Sequence, residues 1–167
     1  MGFSSKYLRC FKVFGWIIIS SFLACSNEQN NSYELKLINQ FNKLTLRHDD
    51  DNCGEWGGNI ETIIIYRKTE DGDLLADYLK LVKYCEKPDS ISRILAKNQV
   101  VITNKEQKLV LESIHQLINE KLQRMDVPPS FGYYNEVSLS GSALEVKDIP
   151  SIKWTKFEEL RESILKR

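Results

Sequence analysis

The segment from His48 to Gly58 is the part of the chain that is richest in side chains able to do chemistry. Its eleven residues include one His, four carboxylates, one Cys and one Trp. Carboxylate oxygens are ligands that hard cations prefer. The spacing fails the calcium-loop pattern, which needs a Glu six residues after its Gly, and a zinc site would need a second His or Cys at ligand spacing. A metal-dependent enzyme that uses the residues between His48 and Glu55 is therefore an alternative, and no metal site is predicted.

Two other interpretations of this segment involve no metal. The preferred one is a polar loop in which Asp and Asn side chains bond their own backbone and the glycines allow tight turns. The other makes Trp56 a contact for a partner, flanked by Glu55 and Asp51, because loops on a rigid sheet often carry recognition and Trp contributes strongly to binding. Trp56 could instead fold back as a lid over the core, and we slightly favour the lid.

Elsewhere the chain lacks the motifs of common catalytic and cofactor sites. It has two His residues and contains no Gly-x-Ser-x-Gly, His-Glu-x-x-His or phosphate-binding glycine loop. The second His, His115, falls at the boundary of a predicted helix face and is interpreted as structural. Glu61 and Lys80 are expected to form a charge pair on the surface of a sheet. The sequence therefore leans towards a protein that is not an enzyme, and it predicts no cofactor.

The first 24 residues have the three parts of an export signal. Lys6, Arg9 and Lys12 give a basic start, residues 13–24 are almost wholly apolar, and the small residue Ala24 precedes Cys25. An apolar run of about 12 to 14 residues is short for a membrane span, which needs roughly 20. A transmembrane helix and an ordinary secretory signal are the alternatives.

Removing the leader leaves 20 basic and 23 acidic residues, a net charge of −3, and no basic patch for nucleic acid.

The stretch Phe22-Leu23-Ala24-Cys25 resembles the lipobox of bacterial lipoproteins. The resemblance implies that Cys25 is lipidated and becomes the first residue of the mature protein. The usual pattern has Leu three residues before the Cys, where this chain has Phe22. Ser26 after the Cys resembles a pattern for sorting to the outer membrane. Residues 25–32 are then the lipidated Cys and a polar, flexible tether, and residues 33–167 are one domain.

Cys53 and Cys85 are predicted to form a disulfide. They are the two cysteines that remain once Cys10 leaves with the leader and Cys25 is acylated, and export delivers the chain to an oxidising compartment. A two-residue turn at Asp71-Gly72 would place Gly58 opposite Cys85, with Cys53 five residues upstream. Two buried free thiols are the alternative.

The patterning of the mature part predicts an α+β fold, an antiparallel sheet of short hairpins covered by one long and one short helix. Strands are expected at residues 33–38, 41–46, 60–68, 74–85, 100–102, 133–140 and 143–146. From Leu74 to Cys85 a helix is the open alternative, because the apolar residues also fit a 3.6-residue period.

Two capping-box spacings, each able to satisfy free backbone N–H groups at a helix start, predict the two helices. Thr103 and Glu106 start a helix at residues 104–125, and Thr155 and Glu158 start a last helix that carries an apolar stripe. The apolar arc of the long helix consists of Val110, Leu111, Ile114, Leu117, Ile118, Leu122 and Met125. The stripe of the short one consists of Trp154, Phe157, Leu160 and Ile164.

Taken together, these patterns favour a lipid-anchored envelope protein, exported and held in the outer membrane. Its expected role is to bind an envelope protein or a glycan without catalysis. The alternatives are the metal-dependent enzyme and a toxin-neutralising or inhibitor protein, the last by analogy alone.

Overall fold

The sheet and helices of the domain follow from the alternation and periodicity of its apolar residues. The computed structural model describes residues 35–124, 132–141 and 144–167. The elements are β1 (Leu44–Asp49), a 3-10 turn (Gly54–Trp56), β2 (Ile60–Arg67), β3 (Leu74–Tyr84), β4 (Lys87–Val101), α1 (Asn104–Gln123), β5 (Tyr133–Leu139), β6 (Glu145–Ser151) and α2 (Thr155–Leu165). In these residues six strands form one sheet in the order β4-β3-β2-β1-β5-β6, and all neighbours are antiparallel.

The core lies between one face of the sheet and the two helices. Alternate residues of β1, β2 and β5 are buried, because side chains of a strand point to opposite faces in turn. The largest fully buried apolar side chains are Trp154, Tyr78, Phe157, Leu46, Ile63, Ile65, Leu117, Leu160, Ile164, Val110 and Val137. The α+β fold with one long and one short helix is therefore confirmed.

The β2–β3 hairpin confirms that the stretch after Asp71-Gly72 is a strand and not a helix. The predicted register was wrong, however. Arg67 pairs with Leu74, so residues 68–73 form a six-residue connection, in which the Gly72 N–H donates to the Thr69 carbonyl at 3.1 Å. Asp71-Gly72 thus ends a four-residue turn and is not a two-residue hairpin loop, and the pairing is displaced by two residues from the prediction.

Two strand predictions at the start of the domain were also wrong. The described part of residues 33–38 turns instead of extending: the Ile38 N–H donates to the Leu35 carbonyl, and the Asn39 side chain accepts from the Phe41 and Asn42 backbone. The strand predicted from residue 41 begins at Leu44. Conversely, β4 covers fifteen residues where the sequence predicted three, because an edge strand pairs on one side only and needs no continuous apolar pattern.

The long helix α1 has its predicted capping box, but it buries a different side. The Thr103 hydroxyl accepts from the Glu106 N–H, and the Glu106 carboxylate accepts from the Thr103 N–H at 2.8 Å. Its buried residues are Glu106, Leu109, Val110, Ser113 and Leu117. Leu122, at the edge of the predicted arc, is 78% exposed. The buried side is rotated towards the short helix, which packs against α1, and Met125 lies outside the described residues.

The C-terminal elements follow the sequence more closely. The β5–β6 hairpin forms around Gly141, and the four predicted stripe residues of α2 are all fully buried. The second capping box was wrong, because α2 begins at Thr155 with Trp154 as its cap residue and without a side-chain cap bond. The Gln116 side chain of α1 instead accepts from the Lys156 N–H at 2.9 Å. A side chain that is distant in sequence therefore satisfies a free backbone N–H group at the start of α2, where a local cap was expected.

Candidate functional site

The loop between β1 and β2 is organised around the carboxylate of Asp50. One oxygen accepts from the backbone N–H groups of Asn52 (3.1 Å) and Asn59 (2.8 Å), and the other accepts from both Asn side-chain amides (2.6 and 2.7 Å). Gly58 packs so closely on this carboxylate that a Cβ there would lie 1.8 Å from an Asp50 oxygen. The two sides of the loop are therefore held together at its base, as the polar-loop interpretation expected.

A disulfide fixes the tip of the loop. Cys53 and Cys85 are bonded with their Cα atoms 5.1 Å apart, which links the loop to the end of β3 and confirms the predicted pair. The Cys53 N–H also donates to the Gly57 carbonyl at 2.8 Å, and the Gly54 N–H donates to the Asp51 carbonyl at 2.8 Å. Each end of the 3-10 turn thus has a covalent or hydrogen-bonded support.

Trp56 is presented outward on this turn. Its side chain is 64% exposed, and its carbonyl accepts a hydrogen bond from the Lys83 ammonium of β3. The lid interpretation, which we slightly favoured from sequence, was therefore wrong, because a lid would be buried against the core. Asp51 is half-buried beside it, and the side chain of Glu55 lies outside the described residues. A rigid backbone holding an exposed indole is the form that a recognition contact takes.

The acidic cluster seen in the sequence is dispersed by the fold. His48 is buried on the helix side of β1, Asp49 pairs with Arg47 at 2.6 and 2.7 Å, and Asp50 is saturated by amide donors. Among the described residues no three His, Cys, Asp or Glu side chains come together as a metal site requires. His115 is exposed on α1 and does not belong to the loop between β1 and β2.

Directly beside the loop, a row of polar side chains crosses the helix side of the sheet. Asn135 of β5 pairs with His48 of β1, His48 with Glu61 of β2, and Glu61 with Lys80 of β3. The Lys80 ammonium lies 2.7 Å from the Glu61 carboxylate, and Arg161 of α2 lies 2.9 Å from its other oxygen. The expected surface charge pair is thus a nearly buried ion cluster, because α2 covers Glu61, which is 5% exposed.

The electrostatics of Glu61 show that the cluster keeps its charge. Burial raises the pKa of this carboxyl, but hydrogen bonds and charge from Lys80 and Arg161 lower the pKa by more, so that the net shift is downward. A buried carboxylate with two cationic partners ties β2, β3 and α2 together. We assign it to structural support beneath the loop.

A second branch of the row links His48 to the β5–β6 hairpin. His48 Nδ1 lies 2.6 Å from Asn135 Oδ1, the Asn135 amide donates to Ser151 Oγ at 2.7 Å, and Ser151 Oγ donates to Asp148 at 2.6 Å. Arg124 of the segment after α1 closes the network on Asp148. Nucleophilic catalysis needs a Ser in hydrogen-bond contact with its base. Here the Ser donates to Asp148, and Asn135 stands between it and the imidazole.

Sequence reasoning missed this polar row, since its members are far apart in the chain and share no local motif. The visible signal was limited to the Glu61–Lys80 pair expected from the hairpin.

A comparison with protein-family models and with curated protein sequences finds no match to this chain. Neither helix in the described part of the chain has the length and apolar character that a membrane crossing requires.

Proposed function

We propose that this protein is an exported, lipid-anchored envelope domain that recognises another envelope component, a protein or a glycan, through the Trp56 loop. The term Trp56 loop here means residues 50–59. Export and lipidation at Cys25 are supported by the leader and its lipobox resemblance, and sorting to the outer membrane is supported by Ser26. The recognition step is supported by the geometry of the loop.

The observation that carries the proposal is an indole that is 64% exposed on a backbone held from three sides. The Cys53–Cys85 disulfide, the Asp50 network and the Lys83 contact all restrict the loop before any partner arrives. Ordering a contact side chain and its loop costs free energy on binding, and a loop that is already ordered avoids most of that cost. A disulfide also suits an oxidising compartment outside the cytoplasm.

The geometry of the Trp56 loop has different consequences for the two alternative functions. A metal-dependent enzyme would need His48 and the loop carboxylates to converge, and they point to separate partners. A toxin-neutralising or inhibitor protein would use the same exposed loop, so it is a special case of the proposal in which the partner is an enzyme or toxin. Identification of a captured partner separates the two.

The anchor is tested by partition of the native protein between detergent and aqueous phases. Each buried methylene contributes about 0.8 kcal/mol, so several acyl chains hold a protein firmly in membranes. The protein is expected in the detergent phase, and Cys25→Ser is expected in the aqueous phase or mis-sorted. Equal partition of the variant and the wild type would show that the leader itself is the anchor and would refute lipidation.

The recognition step is tested by substitution of Trp56. Trp56→Ala is expected to weaken capture of the partner by tenfold or more, since a dominant contact residue contributes about 2 kcal/mol or more. Ile94→Ala is the matched control, because Ile94 is an apolar side chain 60% exposed on β4. Both variants should unfold within about 2 °C of the wild type, as neither side chain is in the core. Equal loss of capture in both variants, or no loss in either, would refute the assignment.

A further inference from the structure

An apolar groove lies at the end of β1 opposite the Trp56 loop. It has a volume of about 320 Å³ and is formed by Leu35, Leu37 and Ile38 of the entering chain, Leu111 and Ile114 of α1, and Leu144 before β6. Apart from Lys36, every residue that lines it is apolar. A groove without polar partners suits hydrocarbon and cannot orient a polar ligand.

The rim of the groove exposes more apolar surface than the packing of the core requires. Leu37 and Leu144 line the groove and are 71% and 36% exposed. On α1, Leu122 follows the side that carries Leu111 and is 78% exposed. Leu111 and Leu122 belong to the part of the predicted apolar arc that the core does not fully bury. Clustered exposed apolar groups of this kind mark contact sites.

Of the residues that line the groove, one is charged, and that residue is the basic Lys36. Basic side chains next to exposed apolar groups suit the interface of a bilayer, where lysines meet phosphate headgroups and apolar groups meet acyl chains.

The position of the groove in the chain indicates which hydrocarbon reaches it. Leu35 is ten positions after Cys25, so even a fully extended tether spans at most about 35 Å, and a random-coil one averages roughly 17 Å. If Cys25 carries the lipid, the groove is the face that the anchor holds nearest the membrane. This step rests on the proposed function.

We propose that this face rests on the bilayer and that lipid acyl chains fill the groove. The register of β1 then places the Trp56 loop on the far side. Leu44 pairs with Leu139 at the groove end, and Asp49 pairs with Ile60 at the loop end, about 17 Å away along the strand. The membrane contact thus orients the domain so that its recognition loop faces away from the lipid.

The test uses the mature lipidated protein in vesicles of phosphatidylethanolamine and phosphatidylglycerol with brominated acyl chains, which quench nearby indoles. The reporter is Leu37→Trp combined with Trp56→Phe, and wild-type Trp56 is the matched control. The remaining Trp154 is fully buried and is common to both. Because Leu37 lines the groove and is exposed, the reporter variant is expected to fold, and thermal unfolding checks this.

A side chain inserted about 5–10 Å into the headgroup boundary is expected to lose roughly half of its emission to the bromines, and Trp56 is expected to lose almost none. Flotation with the vesicles is measured first. Absence of flotation would overturn the lipid anchor and this inference with it. Flotation with an unquenched Trp at position 37, with or without a dimer formed through this face, would overturn the inference alone and leave the anchor standing.

Discussion

Removal of the Cys53–Cys85 disulfide should destabilise the domain by an amount that the chain connectivity sets. The two residues are separated by 32 positions. On the chain-entropy model, closing a loop of that length lowers the entropy of the unfolded chain by about 12 cal/mol/K, or about 3.7 kcal/mol at 25 °C. For a domain of about 135 residues, that loss corresponds to a fall in Tm of roughly 13 °C.

The perturbation is the double variant Cys53→Ser with Cys85→Ser, compared with the oxidised wild type. Denaturant unfolding is followed by the fluorescence of the buried Trp154 in a Trp56→Phe background, because this indole reports on the core and not on the loop. Wild-type protein reduced by thiol is the control that keeps the sequence constant. The variant should also show a steeper dependence on denaturant, since its unfolded chain is more expanded.

The local consequence can be separated from the global one. With the bond absent, the Asp50 network and the Lys83 contact still support the loop, so we expect Trp56 to gain mobility while the sheet remains intact. A loss of stability below about 1 kcal/mol would refute the entropic argument. An unchanged Trp56 anisotropy would show that the disulfide does not rigidify the loop.

Three further predictions concern the support of the loop and the helices. Gly58→Ala should lower the free energy of unfolding by more than about 2 kcal/mol, because its Cβ would clash with Asp50. The control Gly54→Ala has open space around its Cβ and should lower the free energy of unfolding by about 1 kcal/mol because of its positive φ. Equal losses of stability in thermal unfolding would contradict the close packing of Gly58 on Asp50. Glu61→Gln should weaken the loss of stability at acid pH. Because the pKa of Glu61 is lowered in the folded state, its ionised carboxylate stabilises the fold above about pH 4.3, and this stabilisation is lost as pH falls through the folded pKa. Parallel pH profiles would refute it. Gln116→Ala should lower the free energy of unfolding by about 1 kcal/mol, because it removes the acceptor for the Lys156 N–H at the start of α2. A denaturant midpoint equal to that of the wild type would refute this capping role of Gln116.

The features that the sequence could predict are those encoded locally. The β2–β3 and β5–β6 hairpins, the Thr103 capping box and the α2 stripe each depend on residues close together in the chain. The disulfide followed from counting the cysteines that remain if Cys10 is removed with a leader and Cys25 is acylated. The loop of residues 50–59 was identified as polar, and its Asp50 bonds agree with that interpretation.

The features that could not be predicted depend on tertiary packing. The buried side of α1 is chosen by α2, so hydrophobic periodicity alone misplaced it. Strand β4 gains its order from pairing with β3 and has a weak pattern of its own. The ion cluster of Glu61, Lys80 and Arg161 joins three elements, and only the folded chain brings Arg161 to the other two.

Recognition through the Trp56 loop can be tested by photocrosslinking at position 56 in the native envelope. A photoreactive phenylalanine analogue replaces Trp56, and the same analogue in place of the exposed His115 is the control. We expect one discrete adduct from position 56, none from position 115, and loss of the adduct when Cys53 and Cys85 are both replaced by Ser. No adduct from position 56, or the same adduct from both positions, would contradict recognition through the Trp56 loop.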